Sequence, residues 1–253
     1  MPLVQAKPGQ ESQLAGLLAR EPLYNLFPLA NLASGIGPDL EVWVGETGGL
    51  LMRRRSRWMV DAGPEPTRFD FAGAAAVIDA FSHDLVQNMT GRPAGVDPLY
   101  AALRRHQGVV YEQYFAALAE PPAPMPYPAT IRPASAADLD QLTALYATAG
   151  DLSRPRSAVE AMLPTCWVAE KQGEIVSSAY VIAQTEQAAM VGGVYTPPFH
   201  RQSGYASALV HAISVWLLAQ GRKPCLFYHN PNAGRIYLRL GYRPLGDWRM
   251  VKF

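Results

Sequence analysis

The sequence predicts a mixed α/β protein built from two domains of similar size. Strand-like and helix-like segments alternate through residues 130–253, and residues 1–120 show a similar order. Between the halves, prolines recur at almost every second position from Pro121 to Pro128. Because such a run neither continues a helix nor pairs as a central strand, it predicts a stiff interdomain linker at residues 121–129.

The elements of the second half follow from hydrophobic spacing and from residues that begin or end helices. Ser135 can cap the first helix, and Gly221 can end the longest helix in a left-handed conformation. In chain order, the predicted elements are a strand at 130–133, helices at 135–148 and 157–163, strands at 166–170, 175–184 and 188–195, a helix at 205–219, a strand at 224–229, a helix at 233–240, and one or two strands within 242–253.

The first half is less distinct but has a comparable rhythm. Its predicted elements are a strand at 3–6, helices at 10–20 and 23–32, a hairpin of 41–46 and 50–60 across Gly48 and Gly49, helices at 72–81 and 97–105, and a strand at 109–115. This order predicts a diverged copy of the second half. An unrelated α/β domain is the alternative.

The charge balance excludes a strong overall attraction to nucleic acid or membranes. The 253 residues include 22 Lys and Arg against 21 Asp and Glu, for a formal net charge of +1. The densest basic run, Arg53–Arg57, is expected to be a solvated strand edge or sheet face. An anionic substrate or nucleic acid is the minor alternative for this run, since stacking aromatic residues are not interleaved with it.

Cysteine content and hydropathy favour a cytoplasmic protein. Cys166 and Cys225 are too few for a disulfide framework and are expected to be small buried hydrophobic residues. The five histidines lack metal-ligand spacing, so no metal site is expected. The N-terminus lacks a signal-peptide pattern, and the longest apolar stretch, Ala206–Ala219, is shorter than the roughly 20 residues of a membrane span.

The chemistry-bearing segment joins the strand at 188–195 to the helix at 205–219. Backbone N–H groups at a helix start lack partners within the helix and can bind a phosphate or pyrophosphate. Gly204 lets the backbone approach an anion closely, and Ala206 lets the helix pack closely. Arg201 and His200 add positive charge to this loop, and Gln202 and Ser203 add neutral donors.

This loop, Arg201-Gln202-Ser203-Gly204-Tyr205-Ala206, resembles the acetyl-CoA loop of the GNAT superfamily, Arg/Gln-x-x-Gly-x-Gly/Ala. The preceding residues 194–197 resemble the strand-to-loop lead of that family. Residues 230–242 resemble its later segment, in which an Asn precedes a short helix with a Tyr and then Gly-Tyr. Gln202 replaces a frequent glycine, and Ser203 replaces a frequent basic residue. The resemblance covers residues 130–253.

The resemblance implies an N-acetyltransferase with acetyl-CoA as acyl-donor cosubstrate, no metal, and direct attack by an amine. It implies that Tyr237 serves the leaving thiolate, with a core aromatic as the alternative role. Asn232 could equally be a helix cap. The implied cofactor-binding residues are Val194, Tyr195, Thr196, His200, Arg201, Gln202, Ser203, Gly204, Tyr205, Ala206, Asn230 and Asn232. The general base is unassigned, with Glu170, Glu174 and Glu186 candidates by residue type only.

The same resemblance implies two GNAT-like domains, each a mixed, mostly antiparallel sheet flanked by helices. Residues 130–253 would form the catalytic domain, and residues 1–120 a degenerate copy without the basic glycine loop. The acceptor would be a small-molecule or peptide amine, without a membrane or nucleic-acid partner, and a homodimer stays open. Two alternatives remain: a non-catalytic acyl-CoA sensor or scaffold, and a tandem GNAT-like transferase that uses aminoacyl-tRNA. The CoA-type loop argues against the second.

Overall fold

The computed structural model describes residues 2–253, apart from the side chain of Asp151. The chain forms two compact units that differ from the domain limits expected above. The first unit runs to Phe115 and also contains Leu245–Phe253, whereas the second unit is Ala116–Pro244. The last residues belong to the first unit because Arg249–Lys252 pair with Asn88–Gly91 in its sheet.

The first unit is a mixed, mostly antiparallel sheet flanked by four helices in the part of the chain described. Its elements are β1 (Val4–Gln5), α1 (Glu11–Leu18), α2 (Leu26–Leu32), β2 (Leu40–Val44), β3 (Leu50–Arg54), β4 (Arg57–Asp61), α3 (Phe71–Asp79), β5 (Asn88–Gly91), α4 (Pro93–Ala102) and β6 (Val109–Ala117, to Phe115 in this unit). With β12 (Arg243–Lys252, from Leu245 in this unit), the strand order is β1-β2-β3-β4-β5-β12-β6.

Strand alternation divides the core of the first unit between the two faces of its sheet. On β2, Val42 joins the cluster that contains Leu14 and Leu18 of α1. The next residue, Trp43, joins the cluster that contains Ile78 of α3 and Leu99 of α4. Because successive strand side chains point to opposite faces, helices cover both sides of this sheet.

One predicted element of the first unit was wrong. Residues 50–60 were expected to form a single strand, but they form β3 and β4, joined by a turn at Arg55 and Ser56. Arg55 has a φ of 54°, a left-handed conformation that a non-glycine residue rarely adopts. The short strand β5, at residues 88–91, was also missed.

The arginine run around this turn is more buried and better paired than predicted. Arg53 is only 7% exposed and forms an ion pair with Glu41. Arg54 donates to Asn31 Oδ1 at 3.1 Å, and Arg55 lies 3.4 Å from a carboxylate oxygen of Asp39. The prediction of a solvated face is therefore wrong for Arg53, because neighbouring polar groups hold that guanidinium within the unit.

The second unit is again a mixed, mostly antiparallel sheet flanked by helices, which confirms the predicted fold class. Its elements are β7 (Thr130–Pro133), α5 (Leu139–Ala147), α6 (Arg156–Met162), β8 (Cys166–Lys171), β9 (Glu174–Gln184), β10 (Ala188–Tyr195), α7 (Tyr205–Ala219), β11 (Lys223–Tyr228) and α8 (Pro231–Arg239). The strand order is β11-β10-β9-β8-β7, and only the β10–β11 pair among these is parallel.

Helices cover both faces of this sheet as well. Leu209 and Ile213 of α7 pack with Val181 and Val191 of the sheet. Cys166 and Val168 belong to the cluster formed with α5 and α6, on the other side. The other cysteine, Cys225, is also fully buried, and burial raises the pKa of both thiols to about 12. Both are therefore small core residues, as predicted.

The proline-rich segment is part of the second unit. The hydroxyl of Tyr127 lies 2.7 Å from Nδ1 of His211 on α7, and Nε2 of His211 lies 3.1 Å from the carbonyl oxygen of Ala123. His211 is buried at 6% exposure. The segment therefore packs along α7 instead of spanning free solvent.

A buried ion pair anchors β7 to the start of α5. Arg132 donates to both oxygens of Asp138 at 2.8 Å and to Glu170 at 2.6 Å. These hydrogen bonds from Arg132 hold the pKa of Asp138 well below its usual range, and Ser135 adds further donors. Asp138 thus closes a capping box while it balances the arginine.

We expect Asp138→Asn to lower the free energy of unfolding by about 2–3 kcal/mol at pH 7, because the variant loses charge-assisted hydrogen bonds at a buried group. Since the folded pKa lies below the usual value of about 3.9, the carboxylate contribution is present above pH 4 and lost as the pH falls toward the folded pKa. Urea unfolding between pH 3 and pH 7 measures the difference.

Asp140→Asn is the matched control, since Asp140 pairs with Arg156 at the exposed surface. It should change the free energy of unfolding by less than about 1 kcal/mol. Equal effects of the two substitutions, or a difference that does not shrink toward pH 3, would contradict the assignment.

Candidate functional site

The parallel strands β10 and β11 separate before they end. Their pairing covers residues 188–190 with 223–225 and stops at Met190 and Cys225. The remainder of each strand, Val191–Tyr195 and Leu226–Tyr228, continues without this pairing. The sheet therefore opens between these two strand ends, which leaves backbone amides available to a ligand chain.

A bulge bends the end of β10 at the mouth of this opening. The antiparallel register with β9 shifts between Gly192, which pairs with Tyr180, and Tyr195, which pairs with Ser178. Strand β10 therefore has one more residue than β9 over this interval, which is a β-bulge. Gly193 has a φ of 58° at this point, and the hydroxyl of Tyr146 donates to its carbonyl oxygen at 3.0 Å. Two buried serines support the bend, since Ser177 donates to the Tyr195 carbonyl at 2.8 Å and Ser178 donates to Tyr146 at 2.9 Å.

The loop after β10 adopts the conformation that an anion cradle needs. Gly204 has a φ of 81° and is the N-cap of α7, with no side chain capping the helix. The first amides of α7 are therefore not blocked by a cap side chain. Gln202 also has a positive φ, of 63°, which explains why a glycine suits this position. Arg201 is held to the loop, because its Nε donates to the Thr196 carbonyl at 3.0 Å.

One cavity of about 1600 Å³ brings the predicted site residues together. It is lined by Val194, Tyr195 and Thr196 from β10 and its exit, by His200, Arg201, Gln202, Ser203, Gly204, Tyr205 and Ala206 from the loop and α7, and by Asn230, Asn232 and Tyr237 from the α8 segment. Residues 122–125 of the proline-rich segment form another part of its wall.

The two asparagines divide their roles differently from the expectation. Asn230, and not Asn232, is the N-cap of α8, because its side chain accepts from the Asn232 amide at 2.9 Å. The Asn232 side chain is exposed at the cavity and has no hydrogen-bond partner among the residues described. Asn232 is therefore the free amide of the pair.

Tyr237 combines a buried ring with a hydroxyl that has no partner among residues 2–253. Its ring is 8% exposed, with centroids 5.6 Å from Tyr228 and 6.1 Å from Tyr242. Burial raises the pKa of Tyr237 to about 12, so the hydroxyl keeps its proton at neutral pH. The ring therefore packs in the core, and the residue also lines the cavity.

None of the three glutamates considered as bases lines this cavity. Glu170 is ion-paired with Arg132 at 2.6 Å. Glu174 lies 3.4 Å from His200 at its Oε1 and is two-thirds exposed. Glu186 stands in the turn between β9 and β10. Among the described lining residues there is no Asp or Glu at all, whereas His200 and three arginines, at 201, 235 and 239, are present.

Several residues that shape the bulge or line the cavity were not predicted from the sequence. Gly193, Ser177, Ser178 and Tyr146 shape the bulge, while Ala149 and Leu152 line the cavity. Only Gly192-Gly193 carried a local signal, because paired glycines within a strand suggest a bulge. The serines and Tyr146 act through tertiary contacts that spacing along the chain does not show.

We expect Gln202→Gly to raise the free energy of unfolding by about 0.5–1 kcal/mol, because glycine adopts a positive φ without the cost that glutamine bears. Denaturant unfolding at equilibrium measures this change. Ser203→Gly is the control at the next residue, where φ is not positive. It should not stabilise the protein, and a stabilisation equal to that of Gln202→Gly would contradict the explanation.

The first unit has a corresponding cleft with different chemistry. Its parallel strands β4 and β5 remain paired as far as Val60 and Gly91, and Gly91 is the last residue of β5. A cavity of about 380 Å³ at this edge contains Arg92, whose guanidinium is paired with Glu21 at 2.6 Å and with Asp61 at 3.0 Å.

The loop and helix start beside this cleft also differ from their counterparts in the second unit. Two prolines, Pro64 and Pro66, remove amide donors from the loop. The Asp70 side chain accepts from the Gly73 amide at 2.9 Å and so occupies the start of α3. These features leave no counterpart of the open anion loop at this cleft in the described chain.

Comparisons with known proteins give one family match and several similar solved structures. Residues 163–244 match the family model described as Acetyltransferase (GNAT) domain. No curated protein sequence matches the chain. Among solved structures, a GCN5-related N-acetyltransferase from Sphaerobacter thermophilus has a TM-score of 0.65 at 16% identity, covering 99% of this chain and 95% of that one.

Two further structures are similar over nearly the whole length. An acetyltransferase from the GNAT family from Colwellia psychrerythraea has a TM-score of 0.64 at 12% identity, with 100% of both chains covered. A tandem GNAT protein from the clavulanic acid biosynthesis pathway has a TM-score of 0.60 at 16% identity, covering 99% of this chain and 98% of that one. These likenesses show the fold and are consistent with two GNAT-like domains. Residues 163–244 are therefore similar to the GNAT acetyltransferase domain, and the solved structures show that the chain shares the fold of GNAT proteins.

Proposed function

We propose that the second unit is an acyl-CoA-dependent N-acyltransferase that moves an acetyl group from acetyl-CoA to an amine. The observation that carries this proposal is the convergence of three features on one cavity. They are the bulged end of β10, the open loop before α7, and the hydroxyl of Tyr237. The proposed acceptor is a small-molecule or peptide amine.

The donor set suits the phosphates and amides of CoA. The loop offers the uncapped amides of α7, with Arg201 and His200 beside them, to a pyrophosphate. The separated ends of β10 and β11 offer backbone groups to the two amides of a pantetheine arm. In this proposal, the amide donors near Val194 and Tyr195 stabilise negative charge on a thioester oxygen as the amine attacks.

In this direct transfer, the amine nitrogen forms a bond to the thioester carbon and the carbon–sulfur bond breaks. Tyr237 donates a proton to the departing thiolate and then regains one from water, and the attacking nitrogen releases its own proton to water. The absence of a carboxylate among the described lining residues fits an acceptor whose amine reaches the cavity already neutral.

The proposal places the reaction in the cytoplasm. Cys166 and Cys225 are unpaired and buried, which suits a reducing compartment. Within residues 2–253, no helix has the length and apolar composition needed to cross a membrane. No group of three or more potential metal ligands is found in the same residues.

Calorimetric titration with acetyl-CoA, followed by a thiol-release assay across a panel of amines, tests the proposal. We expect saturable binding and amine-dependent release of free CoA. Absence of binding would overturn the proposal. Binding without thiol release for every amine would instead identify an acyl-CoA sensor, and tight tRNA binding without CoA binding would identify an aminoacyl-tRNA-dependent enzyme.

A further inference from the structure

Helix α8 presents two arginines to the cavity that the proposed transfer does not use. Arg235 and Arg239 are both exposed, and both line the cavity. They stand four residues apart, so they share one face of the helix. Nε of Arg239 donates to the backbone carbonyl oxygen of Arg235 at 3.2 Å, which ties the Arg239 side chain to the preceding helical turn.

This pair has no carboxylate partner among the described residues, whereas seven other arginines form ion pairs with acidic side chains. Arg53, Arg92 and Arg132, for example, each form an ion pair with an acidic side chain. Two like charges four residues apart on a helix repel each other, so the pair weakens α8 unless an anion binds. Both residues line a cavity that, among its described lining residues, contains no carboxylate.

We propose that Arg235 and Arg239 form a second anion site that binds a phosphate monoester. It is separate in sequence from the loop at residues 201–206, which supplies backbone amides for a pyrophosphate. A planar guanidinium binds phosphate oxygens through two parallel hydrogen bonds, and a pair can hold a dianion. The 3′-phosphate of CoA is one source of this group, and free phosphate is the other. The assignment to the 3′-phosphate of CoA rests on the proposed function.

The test compares CoA with 3′-dephospho-CoA by calorimetric titration at constant ionic strength. We expect Arg235→Ala/Arg239→Ala to weaken CoA binding by about 10- to 100-fold, the range for lost charge-assisted hydrogen bonds. Binding of 3′-dephospho-CoA should change by less than about threefold. Arg235→Lys/Arg239→Lys should lie between wild type and the alanine variant, because lysine keeps the charge and loses the planar fork.

The matched control is Lys171→Ala/Arg243→Ala, which removes the same charge from exposed residues outside the cavity lining. It should leave both affinities nearly unchanged. Thermal unfolding of each variant checks that the fold is intact.

The outcomes separate the two phosphate sources. If the alanine variant binds both nucleotides like wild type but loses the thermal stabilisation given by inorganic phosphate, the site takes free phosphate. If it weakens CoA and 3′-dephospho-CoA equally, or changes neither nucleotide nor phosphate binding, the second site does not exist. If wild type binds no CoA, the proposed function fails, and phosphate stabilisation alone then decides whether the anion site exists.

Discussion

The Gly193→Ala variant is expected to lose about 100-fold or more in kcat/KM for acetyl-CoA, the loss that follows removal of one preorganised oxyanion donor. A Cβ at this position would lie 1.9 Å from Cε1 and 2.5 Å from Cδ1 of the Tyr180 ring. The φ of 58° adds a cost of about 1–2 kcal/mol for any L side chain. Alanine can be accommodated only if the bulge straightens or the ring moves, and either change displaces the amide of Val194.

Gly192→Ala provides a control one residue away. Its Cβ would meet Cδ1 of Ile182 at 2.2 Å, but that atom ends a flexible side chain that is 45% exposed. No positive φ is required at Gly192. Since Ile182 can rotate aside, we expect kcat/KM to fall by less than about fivefold.

A double variant separates the clash from the backbone strain. Tyr180→Ala removes the ring that the new Cβ would meet, so Gly193→Ala/Tyr180→Ala should recover roughly tenfold relative to Gly193→Ala alone. Steady-state kinetics with saturating amine supplies all four values of the cycle. Equal losses for Gly192→Ala and Gly193→Ala would show that the bulge does not position a catalytic amide.

The loop and α8 could be predicted from sequence because their chemistry is local. Gly204 precedes a helix start, and Asn230 precedes another, so order along the chain was enough to bring both segments to one sheet edge. The fold class followed from the same order of elements. Which asparagine caps α8 could not be derived, since both are adjacent to its first turn and either side chain can accept an amide.

Features that depend on contacts distant in sequence were not predictable. The bulge at Gly193 depends on Tyr146, which is 47 residues away along the chain. The pairing of Arg249–Lys252 with β5 moves the last strand into the first unit, a crossover that no local pattern shows. The turn at Arg55 was missed because its left-handed residue is neither glycine nor asparagine.

Tyr237→Phe is expected to lower kcat by about 10²-fold or more and to leave the KM for acetyl-CoA nearly unchanged. The substitution keeps the ring that packs between Tyr228 and Tyr242 and removes only the hydroxyl. That hydroxyl has no partner in the described chain, so its loss leaves no buried group unsatisfied. The cost therefore falls on the step in which the thiolate departs.

The pKa of Tyr237 gives a second expectation, which concerns the pH dependence of kcat. Because burial raises it to about 12, the hydroxyl stays protonated and able to donate across the range in which enzymes are assayed. Its donor function would be lost only as the pH rises toward 12. We therefore expect wild-type kcat to show no decrease from this residue between pH 7 and pH 10, whereas Tyr237→Phe should be slow throughout.

Tyr242→Phe is the matched control for this hydroxyl. Its ring neighbours Tyr237, but it is fully buried, does not line the cavity, and its hydroxyl lies 2.9 Å from Ser214 Oγ. The variant should lose about 1 kcal/mol of stability through that hydrogen bond and keep its kcat within about threefold. Both variants remove one phenolic hydroxyl from the same aromatic cluster, but only Tyr237 lines the cavity. A Tyr237→Phe enzyme as fast as Tyr242→Phe would therefore exclude Tyr237 as the proton donor.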